Sequence, residues 1–385
     1  MLYPSVIELS KSCLKQNIDY LKKRIGHSVK FVSVIKGNAY GHGIREFLPL
    51  AEECGVDYFA VFDSAEAEVA FNVKKSDTKL MIMGMIANQD VKWAVKNGIS
   101  FFVFENSRLK QAIKDAKNLK KKAKIHLEVE TGLHRTGFSD EELKKAVKLI
   151  KQNDKHLFID GVCTHYAGAE SVANYVRVHN QIKRFNETKD WLKEKGIIPK
   201  YYHTACSAAS LVYPETRMDL VRMGIAQYGF WPSEEVRMHA LLSKDEDFKQ
   251  RPLKRVLRWK SHIMGIEHVE PGEFISYGNY FQATRKTKIA TVPVGYSHGY
   301  RRSLSNLGFV LVKGKKAPVI GMVNMNVMII DVTSIPFVKK GDTVVLIGKQ
   351  GKHEITVASF SELSNLVNYE LLTRLPESIP RIVKK

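Results

Sequence analysis

Cysteine is scarce in this sequence, and no two cysteines form a motif. Cys13, Cys54, Cys163 and Cys206 are widely separated in the 385-residue chain, and none belongs to a C-x-x-C pair. This distribution argues against a structural zinc site and against a disulfide framework. We therefore expect reduced thiols and no metal.

Long hydrophobic runs are also missing. No stretch of roughly 18 apolar residues is present, which is the length that a membrane-spanning helix needs. The opening segment, Met1-Leu-Tyr-Pro-Ser-Val-Ile-Glu8, lacks the basic-then-apolar order of a signal peptide. These two observations predict a cytoplasmic protein with no membrane partner.

Acidic residues are outnumbered by basic ones. The sequence has 60 Lys and Arg against 40 Asp and Glu, which gives a formal net charge of +20. Such an excess is compatible with nucleic-acid binding. However, lysines such as Lys144, Lys145 and Lys148 fall on the polar arc of a predicted helix, where they would be solvated. We therefore predict no nucleic-acid partner.

Short apolar runs rich in β-branched residues alternate with amphipathic stretches between residues 31 and 224. In the helix predicted at Glu141–Lys151, the apolar residues recur at helical spacing on one face. Eight of the short runs predict strands: Phe31–Lys36, Tyr58–Phe62, Leu80–Gly84, Phe101–Phe104, Lys124–Glu130, Phe158–His165, Tyr201–Thr204 and Asp219–Met223. Parallel strands need helical crossovers, and eight of them can close into a ring. The pattern predicts a (β/α)8 barrel, with a doubly wound open sheet as the alternative.

The pattern changes after residue 250 to short strands without long helices between them. The strands predicted there are Ser261–Val269, Lys288–Tyr296, Phe309–Lys313, Val327–Val332 and Thr343–Ile347. The stretch Ser233–Lys249 is polar and weakly patterned, so we predict a linker there. The sequence thus predicts an α/β fold class, with a TIM-type (β/α)8 barrel over residues 1–240 and a mainly β domain over residues 250–385.

The candidate catalytic and binding residues lie at the predicted ends of barrel strands, where barrel enzymes place their reactive groups. Lys36 ends the first predicted strand, His165 ends the sixth, and Ser207 and Gly224 follow the seventh and eighth. A lysine at a strand end is by itself compatible with an ordinary side chain that reaches water. What favours function is the run Gly-Asn-Ala-Tyr-Gly-His-Gly43 that follows Lys36, because its glycines let the backbone approach a ligand closely.

The segment around Lys36 resembles the pyridoxal-phosphate attachment motif of the alanine racemase family. Further segments are similar to that family in the same order, namely Glu130–Gly137, Thr164–Ala167, His203–Ala209, Val221–Gly229, Ile275–Gly278, Val292–Tyr296 and Asn368–Glu370. The resemblance implies an amino-acid racemase that uses pyridoxal 5'-phosphate. It also implies that L-alanine and D-alanine are interconverted and that D-alanine is supplied for cell-wall peptidoglycan.

The same resemblance implies catalytic roles. Lys36 would bind the cofactor through its amine and act as one acid/base, and Tyr277 would act on the opposite face of the substrate. Tyrosine is a poor base at neutral pH unless neighbouring cations favour its phenolate, so His165 and Arg222 would supply a polar network around it. Since arginine stays protonated, Arg222 would also keep the pyridine nitrogen of the cofactor unprotonated.

Binding roles follow from the resemblance as well. The phosphate would be held by Tyr40, the Ser207 hydroxyl, the backbone N–H groups of Gly224 and Ile225, and Tyr369. Arg135 would hold the phenolic oxygen of the cofactor or the substrate carboxylate, and Met325 and Tyr296 would contact the substrate. In the family the tyrosine matched by Tyr277 serves the barrel of a second chain, which implies a homodimer with shared active sites.

Some residues depart from the family's pattern. Glu128 stands where many alanine racemases have a lysine modified to a carbamate, so its carboxylate could orient Arg135 without carbon dioxide. The other departures are Cys206, His298, Met322, Asn324 and Asn326. Several of them belong to segments near the family's substrate site, which leaves a broad-spectrum, serine or lysine racemase as an alternative.

Two further alternatives have other activities. A non-catalytic pyridoxal-phosphate-binding barrel would resemble the first domain, but such proteins lack a β domain with a catalytic tyrosine. A decarboxylase of the same fold type would place an acid at the pyridine nitrogen, where this sequence has Arg222. Both alternatives therefore fit the sequence less well than a racemase does.

Overall fold

The computed structural model describes residues 3–242, 252–357 and 368–384. The chain divides into two compact units that alternate along the sequence. The unit that we call the barrel unit comprises Ser12–Gly37 and Leu48–Lys254, and the unit that we call the β unit comprises Met1–Lys11, Asn38–Phe47 and Arg255–Lys385.

The barrel unit contains an eight-stranded parallel sheet. Its strands are β2 (Lys30–Val34), β3 (Tyr58–Val61), β4 (Lys79–Ile82), β5 (Ser100–Val103), β6 (Ala123–Glu128), β7 (Leu157–Cys163), β8 (Tyr201–His203) and β9 (Leu220–Met223). Each strand from β2 to β7 pairs with the next one along the chain, and β9 returns to pair with β2. Between β8 and β9 the Arg222 N–H donates to the Ala205 carbonyl at 3.0 Å, which nearly closes the ring. The predicted barrel is confirmed.

Helices connect and cover these strands. They are α1 (Lys11–Ile25), α2 (Lys36–Tyr40), α3 (Ile44–Glu53), α4 (Ser64–Val73), α5 (Asn88–Lys96), α6 (Asn106–Leu119), α7 (Asp140–Gln152), α8 (Tyr175–Glu194), α9 (Ser207–Val212) and α10 (Glu234–Leu242). Helix α7 matches the predicted amphipathic pattern, because its buried residues are the apolar ones and Ser139 caps its start by accepting from the Glu142 N–H.

The predicted linker Ser233–Lys249 is only partly a connecting segment. Helix α10 begins at Glu234, where the Ser233 hydroxyl accepts from the Val236 N–H at 3.1 Å. A helix cap therefore outweighs the weak hydrophobic pattern that suggested a linker. The remaining part of the linker prediction, residues 243–249, lies outside the described residues.

The β unit contains a ten-stranded mixed sheet. Its strands are β1 (Ser5–Ser10), β10 (Leu257–His262), β11 (Gly265–Val269), β12 (Thr287–Val292), β13 (Phe309–Val312), β14 (Lys315–Ile320), β15 (Met328–Asp331), β16 (Thr343–Gln350), β17 (His353–Ile355) and β18 (Arg381–Lys384). The predicted mainly β character is confirmed, although the single strand predicted at Ser261–Val269 is two strands with different partners.

The core of each unit explains its strand pattern. Every residue of β3 and β5 is buried, as expected for parallel strands that are covered on both faces. Strand β10 instead alternates buried and less buried positions, with Trp259 fully buried. Among the described residues, no helix is long and apolar enough to cross a bilayer.

Candidate active site

Lys36 lies beyond the end of β2 rather than on it. The strand ends at Val34, and Lys36 begins α2, so the prediction of a lysine at the strand end is wrong by two residues. Residues 37 to 41 have φ values of 62°, 51°, 54°, 50° and 79°, so α2 is itself a left-handed turn. Strand hydrogen bonding cannot continue here because a strand requires negative φ. The left-handed backbone costs roughly 1–2 kcal/mol for each L-residue and therefore needs compensation.

Hydrogen bonds hold this turn in place within the β unit. The Gly43 N–H donates to the Asn38 carbonyl at 2.9 Å, and the Ile44 N–H donates to Asn38 Oδ1 at 2.8 Å. Arg381 donates to the Gly41 carbonyl. Strain that is compensated in this way is typical of a functional segment.

The strand end that precedes Lys36 is held by buried polar side chains of the barrel unit. Gln227 Nε2 and the Tyr228 hydroxyl donate to the Val34 carbonyl at 3.0 and 2.9 Å. The Ser33 hydroxyl donates to Gln227 Oε1 at 2.7 Å. Sequence reasoning did not single out these residues, although Gln227 and Tyr228 belong to the segment Val221–Gly229 that resembled the family.

The environment of Lys36 favours a neutral amine. Although the residue is exposed at the surface, desolvation lowers the pKa of its ammonium from 10.5, and the charges of Arg135 and Arg222 act in the same direction. Cys206 and Glu66 oppose this shift without cancelling it. Because only the neutral amine is nucleophilic, a lowered pKa suits a lysine that attacks a carbonyl.

Arg222 is a buried and firmly held cation on β9, only 5% exposed. One terminal nitrogen donates to the carbonyl and to Nδ1 of His203, and the other donates to the carbonyls of Thr164 and Thr204 at 2.8 and 3.0 Å. Arginine presents donors only, so these acceptors fix its plane. Sequence reasoning assigned no role to His203, although the family-like segment His203–Ala209 begins with it.

His165 lies beside Arg222, with its Nδ1 3.5 Å from the guanidinium. The residue follows the end of β7 by two positions, so the prediction that it ends the strand is wrong by that margin. Burial lowers the pKa of His165 to about 3, with further contributions from Arg222, Arg135 and Lys36. The ring is therefore neutral near pH 7, and the fixed positive charge at this point belongs to Arg222.

Glu128 is the last residue of β6, and Arg135 lies beyond the end of that strand. Arg135 is exposed on the following loop, whereas Glu128 is 5% exposed. Burial raises the pKa of Glu128, against the opposing effects of a hydrogen bond from Thr136 and the charges of Arg222 and Arg135. Within the described part of the chain, no ion pair joins Glu128 to Arg135, and Glu128 Oε2 has no hydrogen-bond partner.

The structure brings three of the phosphate-binding candidates together in the barrel unit. Ser207 is the first residue of α9, and its hydroxyl accepts from the Gly224 N–H at 2.9 Å. Gly224 precedes a 3-10 helix that begins at Ile225. The first N–H groups of a helix have no backbone partner within it, and here the Gly224 N–H donates to Ser207. An anion at this corner could take over that N–H and accept from the Ser207 hydroxyl.

The other two phosphate-binding candidates meet in the β unit. The rings of Tyr40 and Tyr369 pack edge to face, with centroids 6.2 Å apart. Tyr369 belongs to the short helix Asn368–Thr373, and Arg301 and Arg374 form ion pairs with the neighbouring Glu370.

Tyr277 is 75% exposed and projects from a strained loop of the β unit. The preceding Ser276 has a φ of 71°, and its hydroxyl donates to the Met322 carbonyl at 3.0 Å. Asn324 Nδ2 donates to the same hydroxyl at 3.4 Å. The side chain of Asn324, which departs from the family pattern, therefore helps to hold the segment that carries Tyr277, whereas Met322 contributes only its backbone carbonyl.

The substrate-binding candidates of the β unit belong to the same group of loops. The Tyr296 N–H donates to the Asn324 carbonyl at 3.0 Å. The Met325 carbonyl accepts from the Ser297 hydroxyl at 2.7 Å. Met325 is 56% exposed and Tyr296 43% exposed, so both side chains are accessible.

The fold and these residues define a barrel enzyme that presents a lysine of lowered pKa beside a buried arginine, followed by a mainly β unit. Residues 9–232 match the family model for the alanine racemase N-terminal domain, and residues 256–383 match that for the alanine racemase C-terminal domain. The chain belongs to the alanine racemase family. It is an amino-acid racemase.

Relatives and solved structures resemble the chain over nearly its whole length. It is 35% identical to alanine racemase of Leptospira interrogans over 385 residues, which covers 99% of this chain and 96% of the relative. A crystal structure of alanine racemase from Bacillus anthracis with bound L-Ala-P has a TM-score of 0.90 and 32% identity, covering 100% of this chain and 96% of that one. Alanine racemase of Clostridium difficile in complex with cycloserine has a TM-score of 0.88 and 29% identity, with the same coverage.

Proposed function

We propose that this racemase interconverts L-alanine and D-alanine with pyridoxal phosphate held at Lys36, and thereby supplies D-alanine for peptidoglycan. The observation that supports the proposal most is that Arg222 is a buried cation held beside His165. The charge of Arg222 also lowers the pKa of Lys36. The alanine racemase of Leptospira interrogans is matched over 96% of its own length, which supports the same substrate. We place the enzyme in the cytoplasm, as the sequence predicts.

The residues present fit this cofactor. Lys36 offers an amine of lowered pKa, and Ser207, Gly224 and Ile225 offer a corner of hydroxyl and backbone groups suited to a phosphate. Tyr40 and Tyr369 would complete the phosphate site. When bound, pyridoxal phosphate supplies an electron sink for negative charge at the substrate Cα.

The chain's own side chains would then bind and move protons. Lys36 would hold the cofactor through its amine, and once released would exchange a proton with the Cα on one face. Tyr277 would exchange a proton on the other face, with the positive charge of Arg222 and the neutral ring of His165 nearby. Since Arg222 has donors only and stays charged, it would disfavour a second positive charge on the pyridine nitrogen.

We further propose that the barrel carries the cofactor over residues 1–240, and that residues 250–385 contribute the second base to the site of a partner chain in a homodimer. Arg135 would bind the substrate carboxylate or the phenolic oxygen, and Met325 and Tyr296 would line the substrate site. We also propose that Glu128 supplies negative charge near Arg135 and Arg222 without a carbamate, since both arginines oppose the rise in its pKa that burial causes.

A broader substrate range is the second candidate, and one observation favours it. The side chain of Asn324, which departs from the family pattern, donates to Ser276 beside Tyr277. Changes at this point would alter the space beside the second base. The alternative therefore remains serine, lysine or broad-spectrum racemisation.

The experiment is to incubate the purified protein with each L-amino acid and to measure both loss of optical rotation and cofactor absorbance. We expect L-alanine to be the preferred substrate, and Lys36→Ala to lose both activity and the absorbance of the lysine-bound cofactor. Tyr277→Phe should keep the absorbance and lose about 100-fold or more of the activity. Tyr280→Phe, at a similarly exposed tyrosine, is the matched control. Equal activity in the two tyrosine variants would contradict the role of Tyr277.

Mixing two inactive variants tests the shared site. In a dimer of Lys36→Ala and Tyr277→Phe chains, one site would carry both substitutions and the other neither. Random reassociation should therefore restore about a quarter of the parental activity. No recovery after demonstrated subunit exchange would show that Tyr277 serves its own chain.

A further inference from the structure

A group of buried polar side chains continues inward from Arg222 and has no part in the proposed reaction. His203 and His126 are fully buried on β8 and β6, and Asp160 is 8% exposed on β7. Tyr58 and Ser100, on β3 and β5, complete the group. Burying polar groups costs free energy unless they are hydrogen-bonded, so each of these side chains needs a hydrogen-bond partner.

These side chains form a continuous line of hydrogen bonds. Arg222 donates to His203 Nδ1, and His203 Nε2 lies 2.9 Å from His126 Nδ1. His126 Nε2 lies 3.2 Å from the Ser100 hydroxyl and 3.5 Å from a carboxylate oxygen of Asp160. The line therefore connects the guanidinium to a carboxylate through two imidazole rings.

The identity of the first donor fixes every proton in this line. A guanidinium can only donate, so His203 Nδ1 must accept and the proton of a neutral His203 ring must lie on Nε2. That proton is donated to His126 Nδ1, which places the proton of His126 on Nε2. The last proton then points at Ser100 and Asp160, which can accept it. The opposite order would set two donors against each other at Arg222.

The charges agree with this order. Burial lowers the pKa of His126 and holds the pKa of His203 well below its usual range, with Arg222 adding to both shifts, so both rings are neutral. Burial raises the pKa of Asp160, but the hydrogen bond from His126 and the charges of Lys200 and Lys124 oppose this effect, and the pKa is lowered overall. An ionised carboxylate is thus available as the final acceptor.

We propose that His203, His126 and Asp160 are positioning residues that hold the Arg222 guanidinium through a single, proton-ordered line of hydrogen bonds. Asp160 anchors the line by favouring the His126 tautomer that leaves Nδ1 free to accept. Without Asp160, His126 can carry its proton on Nδ1. That N–H would face the N–H at His203 Nε2, and the hydrogen bonds that hold Arg222 would weaken. The inference rests on the proposed function for the duty of Arg222, whereas the proton order does not depend on it.

Magic-angle-spinning NMR of the full-length, cofactor-free protein tests the proton order directly. Histidine is labelled with nitrogen-15, and the signals of His126 and His203 are identified by their loss in His126→Asn and His203→Asn. We expect both rings to be neutral, with protonated Nε2 and unprotonated Nδ1. An imidazolium at either position, or a proton on Nδ1 of either ring, overturns the proposal.

Variants then test the effect on Arg222. Asp160→Leu, which removes the acceptor, should lower kcat about five- to tenfold, the effect of one hydrogen bond, with KM within about twofold. Asp115→Leu is the matched control, because Asp115 is 4% exposed and accepts from Gln111 away from this line. Equal kcat in the two aspartate variants, or a change confined to KM, overturns the positioning role.

A second pair of variants guards against a simple folding defect. His126→Asn keeps an oxygen near the position of Nδ1, so it can still accept from His203, whereas His126→Leu cannot. We expect the asparagine variant to retain several-fold more kcat at equal thermal stability, and equal kcat in the pair refutes the proposal. If the parent protein racemises no amino acid, the proposed function fails, while the NMR result still decides the proton order.

Discussion

His42 should make folding of this protein sensitive to acid. Its ring is fully buried in the β unit, and Nδ1 lies 3.0 Å from the carbonyls of both Ala39 and Tyr40. Burial lowers the pKa of His42 from 6.5 to about 3, against the opposing backbone hydrogen bonds. Between pH 6.5 and about pH 3, the unfolded chain therefore binds a proton at His42 and the folded chain does not. The stability that the neutral, buried His42 ring contributes is fully present above pH 6.5 and is lost as the pH falls towards 3.

The size of this effect follows from the shift. Each pH unit between the two pKa values changes the free energy of unfolding by about 1.4 kcal/mol for a single histidine. Between pH 7 and pH 5, His42 alone should remove about 2 kcal/mol. His42→Asn can still donate to the same carbonyls but does not titrate. Its unfolding free energy should therefore change about 2 kcal/mol less over that range, whatever packing against Phe47 is lost.

Urea unfolding at fixed protein concentration, followed by tryptophan fluorescence, measures this difference at each pH. His353→Asn, at an exposed histidine of β17, is the control, and its stability should change in parallel with the parent. If the curves of His42→Asn and the parent also run parallel, His42 is not the neutral buried ring described above, and the reasoning fails.

Other residues give equally direct tests. Gly41→Ala should lower stability by at least about 2 kcal/mol in thermal unfolding, because φ is +79° and the new Cβ would lie 1.8 Å from the Leu372 carbonyl oxygen. An unchanged melting temperature would contradict that close approach. Glu128→Gln should lower kcat/KM roughly tenfold, since a negative charge near Arg135 is removed; full activity in a steady-state assay would end the idea that this charge matters. Gln227→Leu should cost about 1–3 kcal/mol in urea unfolding by leaving buried groups without partners, and no loss would refute its role.

The sequence predicts the barrel well because periodicity and burial agree there. Strand β3 is a short apolar run flanked by polar residues, and α7 repeats apolar residues at helical spacing. These patterns depend only on residues that are close in the sequence, so they can be recognised without the tertiary structure. Each of the eight barrel strands lies within two residues of its predicted position.

The left-handed turn after Lys36 could not be predicted in the same way. Asn38, Ala39 and Tyr40 adopt positive φ only because hydrogen bonds from His42, Gly43 and Ile44 compensate the strain. Glycine at both ends indicated an unusual backbone, but not its hand. Tertiary contacts, rather than propensity, decide this segment.

The candidate site depends on the family resemblance more than on single residues. Lys36, Arg222 and Tyr277 each have an ordinary structural explanation when they are taken alone. The line through His203 and His126 was missed because its members come from separate strands, with no spacing that links them along the chain. Only the closed sheet brings such positions together.

The first strand of the β unit has a consequence for synthesis on the ribosome. Strand β1 lies between β10 and β18, so Ile7 pairs with Trp259 on one side and Arg381 on the other. Ile7 and Leu9 are fully buried in the finished sheet, yet they leave the ribosome long before either partner strand has been made. Until those strands have been made, this apolar strand is unpaired, and an unpaired strand is open to aggregation. We expect chaperones that bind short apolar segments to hold the nascent chain at β1 until β10 and β18 have been made.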